Sequence, residues 1–223
     1  GASPTHRNSV LTAIDRPAIF PAVEHQTGEQ IAGPEDIELI ATTIALAFAD
    51  DPVWGPAMGS PRTSIADRRL LWRIFIRGAV RYPWSRLVSG GAAVSVWIPP
   101  DGTEMTPEQE AELDDVLWRL LGRAASDEFH RLTDRFETNH PRDTPHAYLS
   151  LLATHPDHRG RGLGMALLAD DLDRLDALHL PAYLESTNPA NDRRYQGVGF
   201  EPVGEFRTVD DQRVITTMWR AAR

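Results

Sequence analysis

Apolar residues recur at helical spacing in several stretches of this chain and run together, strand-like, in shorter ones. After Pro34-Glu35-Asp36, the residues Ile37, Ile40, Ala41, Ile44 and Phe48 share one helical face. The opening proline and acids suit a first turn. Asp50-Asp51-Pro52 ends that helix, and Pro52 to Pro61 reads as a loop carrying Trp54. A second amphipathic helix is predicted over Ile65 to Val80, burying Leu71, Ile74, Phe75 and Ala79. Arg86 to Ile98 is two extended runs around a glycine turn, a hairpin signal, stopped by Pro99-Pro100. Thr106-Pro107-Glu108-Gln109-Glu110 combines an N-cap, a proline at the first position and acids behind it. Helix is predicted from there to about Phe136, with a break near Gly122, followed by a polar loop from His140 to Pro145.

The last third changes character. His146 to Thr154 is a near-continuous apolar strand, Gly162 to Leu180 a helix, Ala182 to Glu185 a strand and Ala190 to Gln196 a short helix. Phe200 to Thr208 and Val214 to Trp219 close the chain as two more strands. Strand, helix, strand implies parallel neighbours joined by a right-handed crossover, whereas the ending implies an antiparallel hairpin. The fold class is therefore α/β, with a mixed sheet and helices on both faces. Residues 1–30 are expected to form an arm or edge strand, with Ala18-Ile19-Phe20 and Val23 as its apolar pieces, and residues 31–223 a single domain.

Composition narrows the chemistry more than the architecture. At 223 residues, 41% hydrophobic and 25% charged, the chain reads as an ordinary soluble globular one. No apolar run approaches the roughly 20 residues of a membrane span, and Gly1-Ala2-Ser3-Pro4 does not read as a signal peptide, so a cytoplasmic location is expected. There is no cysteine, which removes disulfides, thiolate metal sites and a cysteine nucleophile. All 23 basic residues are arginine, so neither Schiff-base chemistry nor a P-loop lysine is available. A net charge of −9 argues against nucleic acid as a partner and favours cationic substrates such as amines. No membrane partner is expected. A homodimer stays open.

Arg159-Gly160-Arg161-Gly162-Leu163-Gly164 lies between the apolar strand and the helix after it. Alternating glycines let backbone amides turn toward a ligand, the helix offers free N–H groups and the positive end of its dipole, and two arginines add charge. Together they describe a site for a di- or oligophosphate. Turn chemistry alone would explain the glycines but not Arg159 and Arg161. A dinucleotide fingerprint is a rival, since Glu185 ends the next strand at a suitable distance. Against it, Leu167 stands where a third glycine belongs, His155-Pro156-Asp157-His158 separates strand from glycines, and too little chain follows. His140, His146, His155 and His158 cluster in sequence without a recognised metal-ligand spacing, so no metal is expected.

The run Leu151 to Leu168, with Arg159, Gly162 and Gly164 in the named places, resembles the Gln/Arg-x-x-Gly-x-Gly/Ala signature of the GNAT acetyltransferases. Tyr183 to Phe200, with its Asn, Tyr and closing Gly199-Phe200, is similar to the family's following motif. Ala47 to Pro52 and Ala92 to Trp97 resemble, more weakly, the small-molecule branch that includes puromycin acetyltransferase. The resemblance implies a mostly antiparallel sheet with a splayed parallel strand pair. It implies acetyl-coenzyme A as co-substrate, its pyrophosphate on Arg159, Gly160, Arg161, Gly162, Leu163, Gly164 and Met165, and its pantetheine arm along Leu152, Ala153 and Thr154 as an added strand. A backbone N–H near Leu152 or Ala153 would face the oxyanion.

The implied reaction is direct attack by a primary amine on the thioester. The acceptor is expected to be a small cationic or aromatic molecule; a protein N-terminus is the alternative acceptor, and a non-catalytic acyl-CoA sensor the alternative function. Tyr195 occupies the place of the family's acid, with a core tyrosine as the competing reading. Glu185 is the candidate base, or an acid tied up by loop amides or an arginine. Asn188 and Asn191 either touch pantetheine or cap a helix. Asp50 and Asp51 either bind a cationic acceptor or merely end a turn. The tryptophans are assigned to the core, apart from Trp54, which is placed to line an acceptor pocket.

Overall fold

The computed structural model describes residues 28–223; the Ala18–Val23 expectation lies outside them. Seven strands form one sheet: β1 (Glu29–Ile31), β2 (Arg86–Val88), β3 (Ala93–Ile98), β4 (Ala147–Thr154), β5 (Ala182–Ser186), β6 (Glu201–Arg207) and β7 (Val214–Arg220). Their order across the sheet is β1-β2-β3-β4-β5-β7-β6. Every pairing is antiparallel except β4 with β5. That parallel pair is the crossover anticipated from strand, helix, strand.

The helices are α1 (Ile37–Ala47), α2 (Trp54–Ala57), α3 (Ile65–Ala79), α4 (Pro107–Leu121), α5 (Arg123–Asn139), α6 (Leu163–Ala177) and α7 (Asp192–Gly197). Local chemistry fixes several of their ends. Ser64 Oγ accepts from Asp67 N at 3.0 Å while the Asp67 carboxylate accepts from Ser64 N, also 3.0 Å. Thr106 and Gln109 reciprocate in the same way at the start of α4. Gly122, at φ 79°, makes the break between α4 and α5.

Two apolar clusters lie on the two faces of the sheet. On one face α1, α3 and α4 close over Val94, Val96, Leu151 and Ala153, with Trp72 and Leu71 at the centre. On the other face α6 covers Trp97, Leu149 and Leu184 through Leu168, Leu172 and Leu175. A buried polar knot also pins α6 to the sheet. Asp171, fully buried, accepts from Arg86 Nη1 (2.7 Å), Ser95 Oγ (2.6 Å) and Trp97 Nε1 (2.9 Å). Arg86 in turn reaches Asp170 and Glu29, each at 2.6 Å.

Some boundaries differ from the sequence expectation. The segment Pro52–Pro61 is not all loop, because Asp51 Oδ1 accepts from Val53 N (2.9 Å) and Trp54 N (2.8 Å) and starts α2. Helix α6 stops at Ala177, and His179, at φ 52°, turns the chain into β5. The predicted Ala190–Gln196 helix is a 3-10 turn, Pro189–Asn191, running into α7. Trp118 is 63% exposed and is not a core residue.

Two irregularities prepare the site. Strands β4 and β5 pair only at Ala147–Ala182 and Tyr148–Tyr183, then part. Beyond Tyr148 the β5-facing edge of β4 has no strand partner among the described residues, while its other edge stays paired with β3 up to Thr154. The second is a β-bulge. Val96 opposes Leu151 and Trp97 opposes Leu149, leaving Ser150 as the extra residue. It turns Ser150 toward the face that also carries Leu151.

Candidate active site

The gap where β4 and β5 part is lined by Leu149 to Leu152 on one side and Leu184 to Asn188 on the other, with Asp51, Asn191 and Tyr195 around it. It is small, about 50 Å³. It adjoins a cavity of about 640 Å³ on the α4/α5 side of the sheet, and the two share Trp54, Ser150, Leu151 and Glu185.

At the far end of β4 the glycine loop has the form expected of a phosphate cradle. Gly160 (φ 79°) and Gly162 (φ 72°) sit in the left-handed region, with open space where a side chain would project. Gly162 precedes the first turn of α6, whose first intrahelical bond is Ala166 N to Gly162 O at 2.9 Å. The amides of Leu163, Gly164 and Met165 therefore have no intrahelical acceptor. Gly164 is needed for packing: a Cβ there would lie 2.6 Å from Thr154 Oγ1. Arg159 and Arg161 are exposed beside the loop. Arg159 Nη2 donates to Ala47 O at the end of α1 (3.1 Å), and Arg161 Nη1 lies 3.4 Å from His158 Nδ1.

Near the parting point, Glu185 is nearly buried, its side chain 2% exposed, and its Oε1 has no hydrogen-bond partner among the described residues. His140 Nδ1 lies 3.6 Å from that oxygen. His140 Nε2 is 3.1 Å from His146 Nε2, and His146 Nδ1 is 2.7 Å from Thr144 O. Tyr148 and Tyr183 stack edge-on against His140, with ring centroids 4.8 and 4.9 Å away. Burial and the Glu185 carboxylate hold both phenols above their usual range. Burial also lowers His146 from its usual value.

Glu104 sits in the same cavity, accepting from Ser150 Oγ at the bulge. Burial raises its carboxyl, the Ser150 hydroxyl partly offsets this, and Glu185 adds to the rise. Nothing in the sequence singled out Glu104; it becomes visible only when the bulge brings Ser150 to it. Tyr195 lines the gap and is pushed up to about 12, mainly by burial, with Asp51 and Asp192 adding to it.

The remaining candidates divide. Asn188 Oδ1 accepts from Ala190 N at 3.1 Å, a capping bond, and Asn191 lines the gap while accepting from Arg194 at 3.2 Å. Asp51 caps α2 with one oxygen and accepts from Thr187 Oγ1 with the other, 2.8 Å. It is a structural brace between α2 and the end of β5. The four histidines form two separate pairs, His140 with His146 and His155 with His158. Among the described residues no three His, Asp or Glu side chains are grouped to hold a metal.

Residues 104–200 match the Acetyltransferase (GNAT) family model. Over this central region the chain is similar to GNAT acetyltransferases. Solved structures agree over nearly the whole chain. A Corynebacterium glutamicum protein described as histone acetyltransferase HPA2 and related acetyltransferase aligns with TM-score 0.64 and 25% identity, covering 88% of this chain and 97% of that one. Arylalkylamine N-acetyltransferase 2 from Aedes aegypti gives 0.63 at 14% identity, covering 89% and 100%. The Drosophila melanogaster polyamine N-acetyltransferase gives 0.58 at 18%, covering 86% and 98%. The mixed sheet with one parting parallel pair is thus the GNAT fold. The comparisons bear on the family and not on a branch within it.

Proposed function

We propose that this protein is an acetyl-CoA-dependent N-acetyltransferase acting on a small primary amine. One observation carries the reading: the gap between β4 and β5 and the larger cavity meet at shared walls, Trp54, Ser150, Leu151 and Glu185. A donor lying along Leu152, Ala153 and Thr154, anchored at the Arg159–Met165 loop, would bring its acyl end to that junction. The unpaired edge of β4 offers amide partners for a pantetheine arm, and the open left-handed glycines leave room for phosphates against the α6 amides.

The cavity favours a cationic acceptor with an apolar body. Seven carboxylates line it, from Asp101 to Glu185, against one arginine, Arg142. Trp54, Trp72, Phe75, Phe129 and Phe136 supply its apolar wall.

Acetyl-coenzyme A supplies an activated thioester; the chain's residues manage charge and protons. An alkylamine arrives as an ammonium and must lose one proton before attack. Glu185, buried and with an unpartnered oxygen, is positioned to take it. A main-chain N–H near Leu152 would steady the charge that develops on the thioester oxygen. The nitrogen loses a second proton after attack, and the departing sulfur gains one. Tyr195 lines the gap. At about 12 its phenol stays loaded at neutral pH, yet it is a weaker acid than a free thiol near 8.5. It therefore acts as a relay, giving its proton to sulfur as it is refilled from the nitrogen.

The test is thiol release from acetyl-coenzyme A with a panel of small amines, alongside donor binding. Amine-dependent thiol release is expected. Tight coenzyme A binding without it would make the protein an acyl-CoA sensor, and thermal stabilisation by NAD(H) instead of coenzyme A would point to the nicotinamide reading.

A further inference from the structure

Thr144, His146, His140 and Glu185 form a line whose hydrogens can be placed from their partners alone. The Thr144 carbonyl can only accept, so His146 Nδ1, 2.7 Å away, carries its hydrogen and donates. Burial favours neutral His146, and a neutral ring with Nδ1–H has a bare Nε2, which can only accept. His140 Nε2, 3.1 Å from it, must then be the donor. Neutral His140 therefore has a bare Nδ1, and this faces Glu185 Oε1 at 3.6 Å. Two acceptors confront each other with no hydrogen between them, and among the described residues Glu185 Oε1 has no hydrogen-bond partner.

We propose that His140 and Glu185 form a single proton-accepting pair, and that His146 is the positioning residue that sets His140 in the tautomer leaving it open. The inference rests on the acyl-transfer reading and names where the ammonium proton goes. One N–H bond of the substrate ammonium breaks, its electron pair stays on nitrogen for attack, and the proton is held between Nδ1 and Oε1. The pair passes from one negative charge to neutral. Half-buried His140, on the cavity wall, returns the proton to solvent.

Other groups set the background. Glu104, from the loop after β3, and Glu137, on α5, add negative charge, and Arg142 adds positive charge. Tyr148 and Tyr183 are held protonated on the flanking strands. Trp219 of β7 closes the far side of His146, ring centroids 5.2 Å apart.

Two measurements test the proposal. Histidine ring 15N and 1H NMR of the wild-type protein at neutral pH should show His146 with its hydrogen on Nδ1 and His140 with its hydrogen on Nε2. His146 bonded through Nε2–H would overturn the assignment, whether or not the protein turns over any amine. The second is the rate of an alkylamine substrate from about pH 6 to about pH 9.5 for wild type, His146→Phe and His146→Asn. His146→Phe should lower kcat about 10- to 100-fold at neutral pH with KM for acetyl-coenzyme A unchanged. That loss should shrink as pH rises, because more amine then arrives already deprotonated. His146→Asn, whose amide oxygen can accept from His140, should restore most of the rate. A loss constant across pH, or an Asn variant no better than Phe, would make His146 merely structural. Absence of thiol release from wild type with every amine would instead sink the parent reading, leaving the tautomer result standing.

Discussion

Arg159 donates from Nη2 to the carbonyl of Ala47, 3.1 Å away, tying the glycine loop to the last turn of α1. The arginine of the motif thus braces the loop from outside, at a helix end where a cation is favoured. Loop shape and the free amides of α6, more than this guanidinium, are then left to hold a phosphate.

That division makes Gly162 the sharper probe. At φ 72° with open space around it, Gly162→Val meets no protein atom but strains the backbone by about 1–2 kcal/mol. The branched side chain would stand where a pyrophosphate must approach. Coenzyme A affinity should fall at least about tenfold, or about 1.4 kcal/mol, measured by calorimetry. Unchanged affinity would remove the loop from the donor site.

Tyr195→Phe removes the phenolic relay and leaves a ring of nearly the same shape against Phe200, 6.2 Å between centroids. Turnover should drop by about 10²-fold, with the dissociation constant for coenzyme A within about twofold of wild type. Steady-state rates beside equilibrium binding separate the two, and wild-type turnover would return Tyr195 to the core.

Glu104→Gln tests a buried carboxylate. Burial raises the Glu104 carboxyl above the usual 4.5, so folding favours its protonated form. A group shifted up in this direction contributes its full stability below the unfolded value, and loses it as pH rises through the folded one. The amide variant, which carries no charge, should therefore melt a few degrees higher than wild type at pH 7, and the gain should vanish in acid below the unfolded value. Thermal melts across that range decide it. A gain that persists in acid would mean that burial of charge is not its source.

Asp171→Asn reaches the knot under α6. The amide cannot match a carboxylate that accepts from Arg86, Ser95 and Trp97 together. It leaves the buried Arg86 with Asp170 and Glu29 alone. Stability should fall by about 3 kcal/mol, read as a lower urea midpoint with unchanged slope, while the glycine loop still binds coenzyme A.

The elements were legible wherever local rules acted alone. Thr106 to Glu110 marks a helix start in sequence and in space, Gly122 breaks α4 from α5, and the glycine loop sits between β4 and α6. The candidate site was named from sequence only where a motif spans it, as at Arg159–Gly164, Tyr195 and Glu185. Glu104 is distant in sequence from His140, His146 and Glu185, and they share one cavity beside the Ser150 bulge and the short β4/β5 pairing. Their signal is tertiary: a buried carboxylate shows no periodicity, and His140 in a polar loop gives no hint that its ring lies on Glu185. Asp51 stayed open for the converse reason, since an acid before proline looks the same whether it meets a ligand or Thr187.

Among the described residues, two register pairs, Ala147–Ala182 and Tyr148–Tyr183, are all the strand pairing between β4 and β5, where β1–β4 meet β5–β7. A guest that slid into the cleft and bonded to β4 would act as a missing eighth strand, stitching the two halves together. Slower deuterium uptake by the main chain of Leu149 to Thr154 on adding coenzyme A would record that stitching directly.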